Sequence, residues 1–131
     1  GSASNDGNSL LEELRTAYLL HRLSSSAAGP SGYELLKIAT RGGAKVLGRT
    51  DIGSLEVGKC ADLFLIDSRR LELTGCCADP KNVLATVGVR GAVDYTVVHG
   101  RVTVKQGRLT GWDEEQLPRE AGAVWEDYLS R

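Results

Sequence analysis

The sequence predicts an α/β chain: two or three helices at the front, a small and mostly antiparallel sheet, and a terminal helix. Three observations carry this. Ser9 and Ser31 are each followed three residues later by a glutamate, Glu12 and Glu34, the pattern of a helix N-terminal capping box. Residues 61–67 and 93–105 hold short β-branched and aliphatic runs separated by turn residues. Residues 113–131 return to helical spacing.

The elements follow in order. Behind Ser9, Leu10, Leu14, Ala17 and Tyr18 recur at helical spacing, which places Arg15 and Arg22 toward water. Residues 24–30, Ser-Ser-Ser-Ala-Ala-Gly-Pro, read as a linker ending in a breaker. Behind Ser31, Leu35, Leu36, Ile38 and Ala39 supply a second apolar face. That helix is expected to falter at Gly42 and Gly43, with a short helical piece over 44–47 ending at Gly48. Two close helices with wide apolar faces find little partner inside this segment.

Glycines at turn positions punctuate residues 52–59. The apolar run between Asp62 and Asp67, with Phe64 and Ile66 inside it, predicts a buried strand. Asp79 and Pro80 open a short helical or irregular stretch through Leu84 and Ala85. A hairpin from Asp94 to Lys105 follows, turning at His99-Gly100, with another turn at Gln106-Gly107. In the tail, Asp113 with Gln116 resembles a capping box; Leu117, Ala121, Val124, Trp125 and Tyr128 share a face. Pro118 moves the start of regular helix close to itself.

Composition narrows the function. With 131 residues, 41% hydrophobic and 25% charged, the chain suits one domain or parts of two, and is not disordered in character. The net charge is −1 and no basic stripe is visible, which argues against nucleic acid as a partner. Apolar runs such as residues 63–66 are too short for a bilayer. The first residues carry no basic-then-apolar signal pattern, so a cytoplasmic setting is expected.

Candidate chemistry is sparse. Cys60, Cys76 and Cys77 form neither a Cys-x-x-Cys nor a zinc-ribbon spacing, and read as partly buried thiols. His21 and His99 are not spaced as a metal pair, and each reads as an ordinary surface histidine. Asp62 and Asp67 lie an odd number of residues apart. In a strand they face opposite ways, so they read as solvated strand ends rather than an acid/base pair. Lys59 reads as a solvated strand start, and Trp125 and Tyr128 as packing for the terminal helix. Neither phosphate-loop pattern occurs around Gly42-Gly43.

Three pieces resemble one family. Residues 1–6, Gly-Ser-Ala-Ser-Asn-Asp, lead into a capped helix. This resembles the segment after the eighth barrel strand in amidohydrolases of the 8-oxoguanine deaminase, guanine deaminase and triazine hydrolase group. Residues 39–44 (Ala-Thr-Arg-Gly-Gly-Ala), 52–59 (Ile-Gly-Ser-Leu-Glu-Val-Gly-Lys) and 61–67 (Ala-Asp-Leu-Phe-Leu-Ile-Asp) are similar to the junction between that barrel and its small β domain. Residues 97–102, Val-Val-His-Gly-Arg-Val, with Gly107-Arg108, resemble the closing hairpin.

The resemblance implies the C-terminal helices of a metal-dependent-hydrolase TIM barrel over residues 1–50, part of a small composite β-sandwich over 51–111, and a C-terminal helix over 112–131. It implies hydrolytic attack on a C–N bond of a nitrogen heterocycle, such as deamination of an 8-oxoguanine-like purine. A divalent metal, usually zinc, activates the water in that family.

The family's aspartate ligand falls just before Gly1, and neither histidine matches a ligand position. The expectation is therefore no catalytic residue and no metal ligand in this chain, and no activity by it alone. Ser4 corresponds to a position lining the substrate pocket in triazine-hydrolase relatives, and Asn5 sits beside it; these are the candidate substrate-binding residues. The implied partners are the N-terminal catalytic barrel portion, a small heterocyclic substrate, and a further copy in a homo-oligomer. Two other readings stay open: a non-catalytic β-rich binding or assembly module over 51–111, and thiol chemistry at Cys76-Cys77.

Overall fold

The computed structural model describes residues 9–131, with the side chain of Cys77 outside the description. Ser4 and Asn5 therefore lie outside the described residues.

Helix α1 spans Leu10–Ser25, and the Ser9 hydroxyl accepts the Glu12 N–H at 3.3 Å. Helix α2 spans Gly32–Lys37 with both halves of its capping box made: Ser31 Oγ accepts from Glu34 N–H, and Glu34 Oε2 accepts from Ser31 N–H at 2.7 Å. The chain does not falter at Gly42 and Gly43, as their flexibility suggested. It runs through a π-helical turn, Ile38–Gly42, into α3, Gly43–Val46, with both glycines in ordinary right-handed helical geometry. The helix ends where Gly48 adopts φ +66°. The glycines serve close approach instead. Gly53, at φ +88°, packs on this stretch so tightly that an added methyl would meet Ala44 Cβ at 2.9 Å.

The main core joins α1, α2 and the short α4, Val83–Thr86. Leu14, Leu35 and Ala85 are buried together, with Ala17, Tyr18, Leu36 and Leu84 packed around them. Asn82 anchors α4 by accepting the Tyr33 N–H on its Oδ1 at 2.9 Å.

Arg15 and Arg22 do not point into water. Arg15 crosses to α4 and donates to the Thr86 carbonyl, covering carbonyls left unpaired at a helix end. Arg22 donates to the carbonyls of Ser26 (2.9 Å), Gly29 (2.8 Å) and Pro30 (2.6 Å), and its guanidinium lies 4.9 Å from the Tyr18 ring centre. The linker is folded back onto α1 because these carbonyls need donors and Arg22 supplies several in a rigid fork.

The sheet comprises β1 Leu63–Leu65, β2 Tyr95–Val98, β3 Arg101–Lys105 and β4 Arg108–Leu109, all antiparallel in the order β1-β2-β3-β4. The hairpin turns through His99 (φ 48°) and Gly100 (φ 76°), the left-handed pair that a two-residue turn needs. A bulge interrupts β2–β3 between Thr96 and Val97; the Thr103 hydroxyl there donates to the Thr96 carbonyl at 3.3 Å.

The strand expected over 61–67 is only three residues long and is not buried: Phe64 and Leu65 are 39% and 54% exposed. β1 is an edge strand, and of its three side chains only Leu63 is half-buried. Lys59 is not a strand start but part of a turn, donating to Ser54 Oγ at 2.5 Å.

Helix α5 spans Gln116–Leu129, with Asp113 Oδ1 accepting the Glu115 and Gln116 N–H groups. Pro118 falls in its first turn. Trp125 and Tyr128 stack on each other, ring centres 6.0 Å apart, but do not pack the helix down: they are 59% and 69% exposed.

Candidate functional site

Ser4 and Asn5 precede Ser9 in the sequence, and Ser9 is where the described helix α1 is capped. Ser9 caps the helix, and Leu14 pins it to Leu35 and Ala85. A groove of about 310 Å³ runs along α1, walled by Leu11, Leu19, Val87 and Val89 with Glu12 and Arg90 among its polar lining. Gly88 forms part of its floor. Its φ is +77°, and an added methyl would lie 2.7 Å from Arg15 Cδ. Arg15 is thus held between a glycine and a carbonyl, and it shapes the groove without being free to act in it.

Two polar networks lie elsewhere. In the first, Arg49 grips Asp51 with its Nε (2.9 Å) and Nη2 (2.6 Å), and the Cys60 thiol donates to Asp51 Oδ2 at 3.2 Å. Arg49, then Cys60, hold the Asp51 carboxyl well below its ordinary range. The bond to Asp51, then burial, push the Cys60 thiol up, so it stays protonated and is a poor nucleophile. Sequence spacing carried no signal for this network, because a turn brings together residues nine apart.

In the second, Asp94 Oδ2 accepts the Asp67 N–H at 2.6 Å and Arg70 Nη2 at 3.0 Å. Asp67 in turn is gripped by Arg69, whose side chain and backbone N–H hold its carboxyl down at about 2. Asp62 accepts the His99 N–H at 2.7 Å. Asp62 therefore fastens the sheet through the His99 N–H, whereas the Asp67 carboxylate stays at the strand end with Arg69 and it is the Asp94 carboxylate that ties down the Asp67 backbone.

Catalytic parts do not converge. Among the described residues, no group of three or more His, Cys, Asp or Glu side chains is placed to hold a metal ion. His21 is exposed on α1, His99 sits at the hairpin turn, and Cys60 and Cys76 are free, half-buried thiols. The described residues do not fit a metal site, and no metal-dependent step is assigned to them. No described helix is long and apolar enough to cross a membrane.

Comparison with known proteins accounts for this arrangement. The Amidohydrolase family profile matches residues 1–103. Hydroxydechloroatrazine ethylaminohydrolase of Pseudomonas sp. (strain ADP) is 44% identical over 128 residues, covering 95% of this chain and 27% of that protein. 8-Oxoguanine deaminase of Pseudomonas aeruginosa is 40% identical over 113 residues, covering 86% of this chain and 25% of that protein. The fold overlays atrazine chlorohydrolase TrzN from Arthrobacter aurescens TC1, complexed with zinc, at a TM-score of 0.85 and 38% identity; 95% of this chain and 28% of that one are covered. The chain thus spans about a quarter of the length of these relatives. A capped helical front, a small antiparallel sheet and this similarity together place the chain in the amidohydrolase family, in its group of 8-oxoguanine deaminase-like and triazine hydrolase-like members.

Proposed function

We propose that this chain is the C-terminal portion of an amidohydrolase that cleaves C–N bonds of nitrogen heterocycles, by hydrolytic deamination of an 8-oxoguanine-like purine or a related ring. The observation that carries the proposal is a fold matching a zinc-complexed triazine hydrolase at TM-score 0.85 over only 28% of that enzyme, with no metal-holding cluster among the described residues. In this reading residues 1–50 supply the last barrel helices, 51–111 part of the small β domain, and 112–131 the terminal helix. The divalent metal and the proton-transfer groups belong to an N-terminal barrel portion outside this sequence. That portion packs where α1 leaves Leu10, Leu20 and Leu23, and the π-helical turn after α2 leaves Ile38, between 59% and 85% exposed.

Ser4 and Asn5 enter as substrate contacts. They precede α1 in the sequence, and the segment after the last strand of such a barrel belongs to the mouth where barrel chemistry occurs. A serine hydroxyl and a side-chain amide there offer both donors and acceptors to ring nitrogens and exocyclic groups.

The test is native mass spectrometry with metal analysis on the chain isolated from its source, followed by an ammonia-release assay on 8-oxoguanine. The expected result is a complex with a larger portion, holding about one divalent metal and releasing ammonia, while the chain alone does neither. Metal binding and deamination by the isolated chain would overturn the assignment.

A further inference from the structure

Cations gather where the π turn and α3 meet the turns that follow. Arg41 and Lys45 stand four apart, hence on one helix face. They line a concavity of about 470 Å³ together with Arg49 and Lys59. Two carboxylates answer these four cations: Asp51 grips Arg49, and Glu56 reaches Lys59 at 3.4 Å, which also donates to Ser54 Oγ. Among the described residues, no ion pair or side-chain hydrogen bond engages Arg41 or Lys45. The surplus is local, because the chain as a whole carries a net charge of −1.

Local helix chemistry does not account for the free pair. Cations near a helix C-terminus commonly serve its unpaired carbonyls. Here backbone N–H groups already serve them: Leu47 donates to the Gly43 carbonyl (3.0 Å), Gly48 to that of Lys45 (3.1 Å) and Arg49 to that of Ala44 (3.0 Å). Like charges four apart on a helix also repel rather than support each other.

The groups left over describe a ligand. Arg41 brings a whole guanidinium and Lys45 a whole ammonium, while Arg49 keeps its Nη1 after engaging Asp51 through Nε and Nη2. These nitrogens are donors only. The Thr50 hydroxyl lies on the same wall and is engaged by no hydrogen bond among the described residues. Their complement is an anion with many acceptor oxygens on neighbouring centres, a di- or triphosphate, rather than a lone carboxylate. No aromatic side chain lines the concavity among the described residues, so the bases of a nucleic-acid strand have nothing to stack on. The wall is set in advance: Gly53 packs on Ala44, and the Asp51 clamp fixes Arg49, so binding has little order to impose there.

We propose that this concavity binds a di- or triphosphate group, held by Arg41 and Lys45 with Arg49 beside them. The site goes beyond the deaminase assignment and does not rest on it, because its test reads binding and not turnover.

The experiment is isothermal titration calorimetry of inorganic tripolyphosphate into the full 131-residue chain. The expected result is a single saturable site whose affinity falls about tenfold as salt rises, since exposed charges are screened. Arg41→Gln and Lys45→Gln should each weaken binding about tenfold, as loss of a charge-assisted hydrogen bond does. Lys45→Arg should keep the affinity, which separates loss of charge from damage to the helix. Both positions are exposed, and glutamine is a good helix former, so the folded state should persist. Lys105→Gln removes an exposed cation on β3 and should change nothing. A wild-type chain that does not bind tripolyphosphate overturns the proposal, even if it binds vesicles of phosphatidylcholine and phosphatidylserine. So does equal weakening by Lys105→Gln and Lys45→Gln, which would mean diffuse charge rather than a site.

Discussion

Ala85 is seated against the bare backbone of Gly32: a methyl on Gly32 would fall 2.9 Å from Ala85 Cβ and 2.9 Å from the Asn82 carbonyl oxygen. Glycine is required there for proximity rather than for an unusual backbone angle. The contact draws α4 onto the front helices.

Gly32→Ala should therefore destabilise the chain by about 1–3 kcal/mol, the usual cost of forcing an extra methyl into a close-packed contact. Urea denaturation checks this. A variant as stable as the wild type would mean that α4 is not packed on α2 in solution.

Ser31→Ala should cost about 1 kcal/mol by removing the hydroxyl that accepts the Glu34 N–H. The same denaturation experiment measures it. Ser31→Asp should recover most of the loss, since an aspartate side chain caps equally well.

Arg22→Ala should release the linker at residues 26–30. The carbonyls of Gly29 and Pro30 lose the Arg22 donor at once, and the Ser26 carbonyl keeps only the long bond from the Gly29 N–H. Limited proteolysis should cut the variant near Ala27–Ala28 well before the wild type. Arg22→Lys should be almost as susceptible, because an ammonium cannot span the three carbonyls as a planar fork does. Equal digestion rates for all three proteins would contradict the arrangement.

Acid should loosen the sheet through Asp67 and Asp94. Both carboxyls are held below their ordinary range, Asp67 by Arg69 to about 2, and Asp94 by the Asp67 N–H and then Arg70. An unfolded aspartate titrates near 3.9. A depressed folded value means stabilisation that is present above about pH 4 and lost as pH falls toward 2. The melting temperature should drop across that window, and less steeply in Asp94→Asn than in the wild type. Parallel pH profiles for the two proteins would count against it.

Much of the local structure was legible in the sequence because it rests on neighbours in the chain. Ser31 and Glu34 cap one another from three residues apart, and His99-Gly100 and Gln106-Gly107 turn the strands through their own backbone angles. The family resemblance was equally local, a run of short motifs in order, and the amidohydrolase profile over residues 1–103 agrees with it.

What only the tertiary structure decided concerns partners remote in sequence. Periodicity marks an apolar face but not what covers it, so Phe64 and Leu65 read as buried although they stand 39% and 54% exposed. Arg15 and Arg22 occupy helix positions that suggested solvent, yet unpaired carbonyls at Thr86, Gly29 and Pro30 capture them. Gly42 and Gly43 suggested a break, yet the helix runs on, through a π turn ending at Gly42 into α3 from Gly43, and Gly53 packs against it. In each case the deciding quantity is whether a buried polar or apolar group finds its complement in space, and that depends on how distant segments meet rather than on the order of residues within one of them.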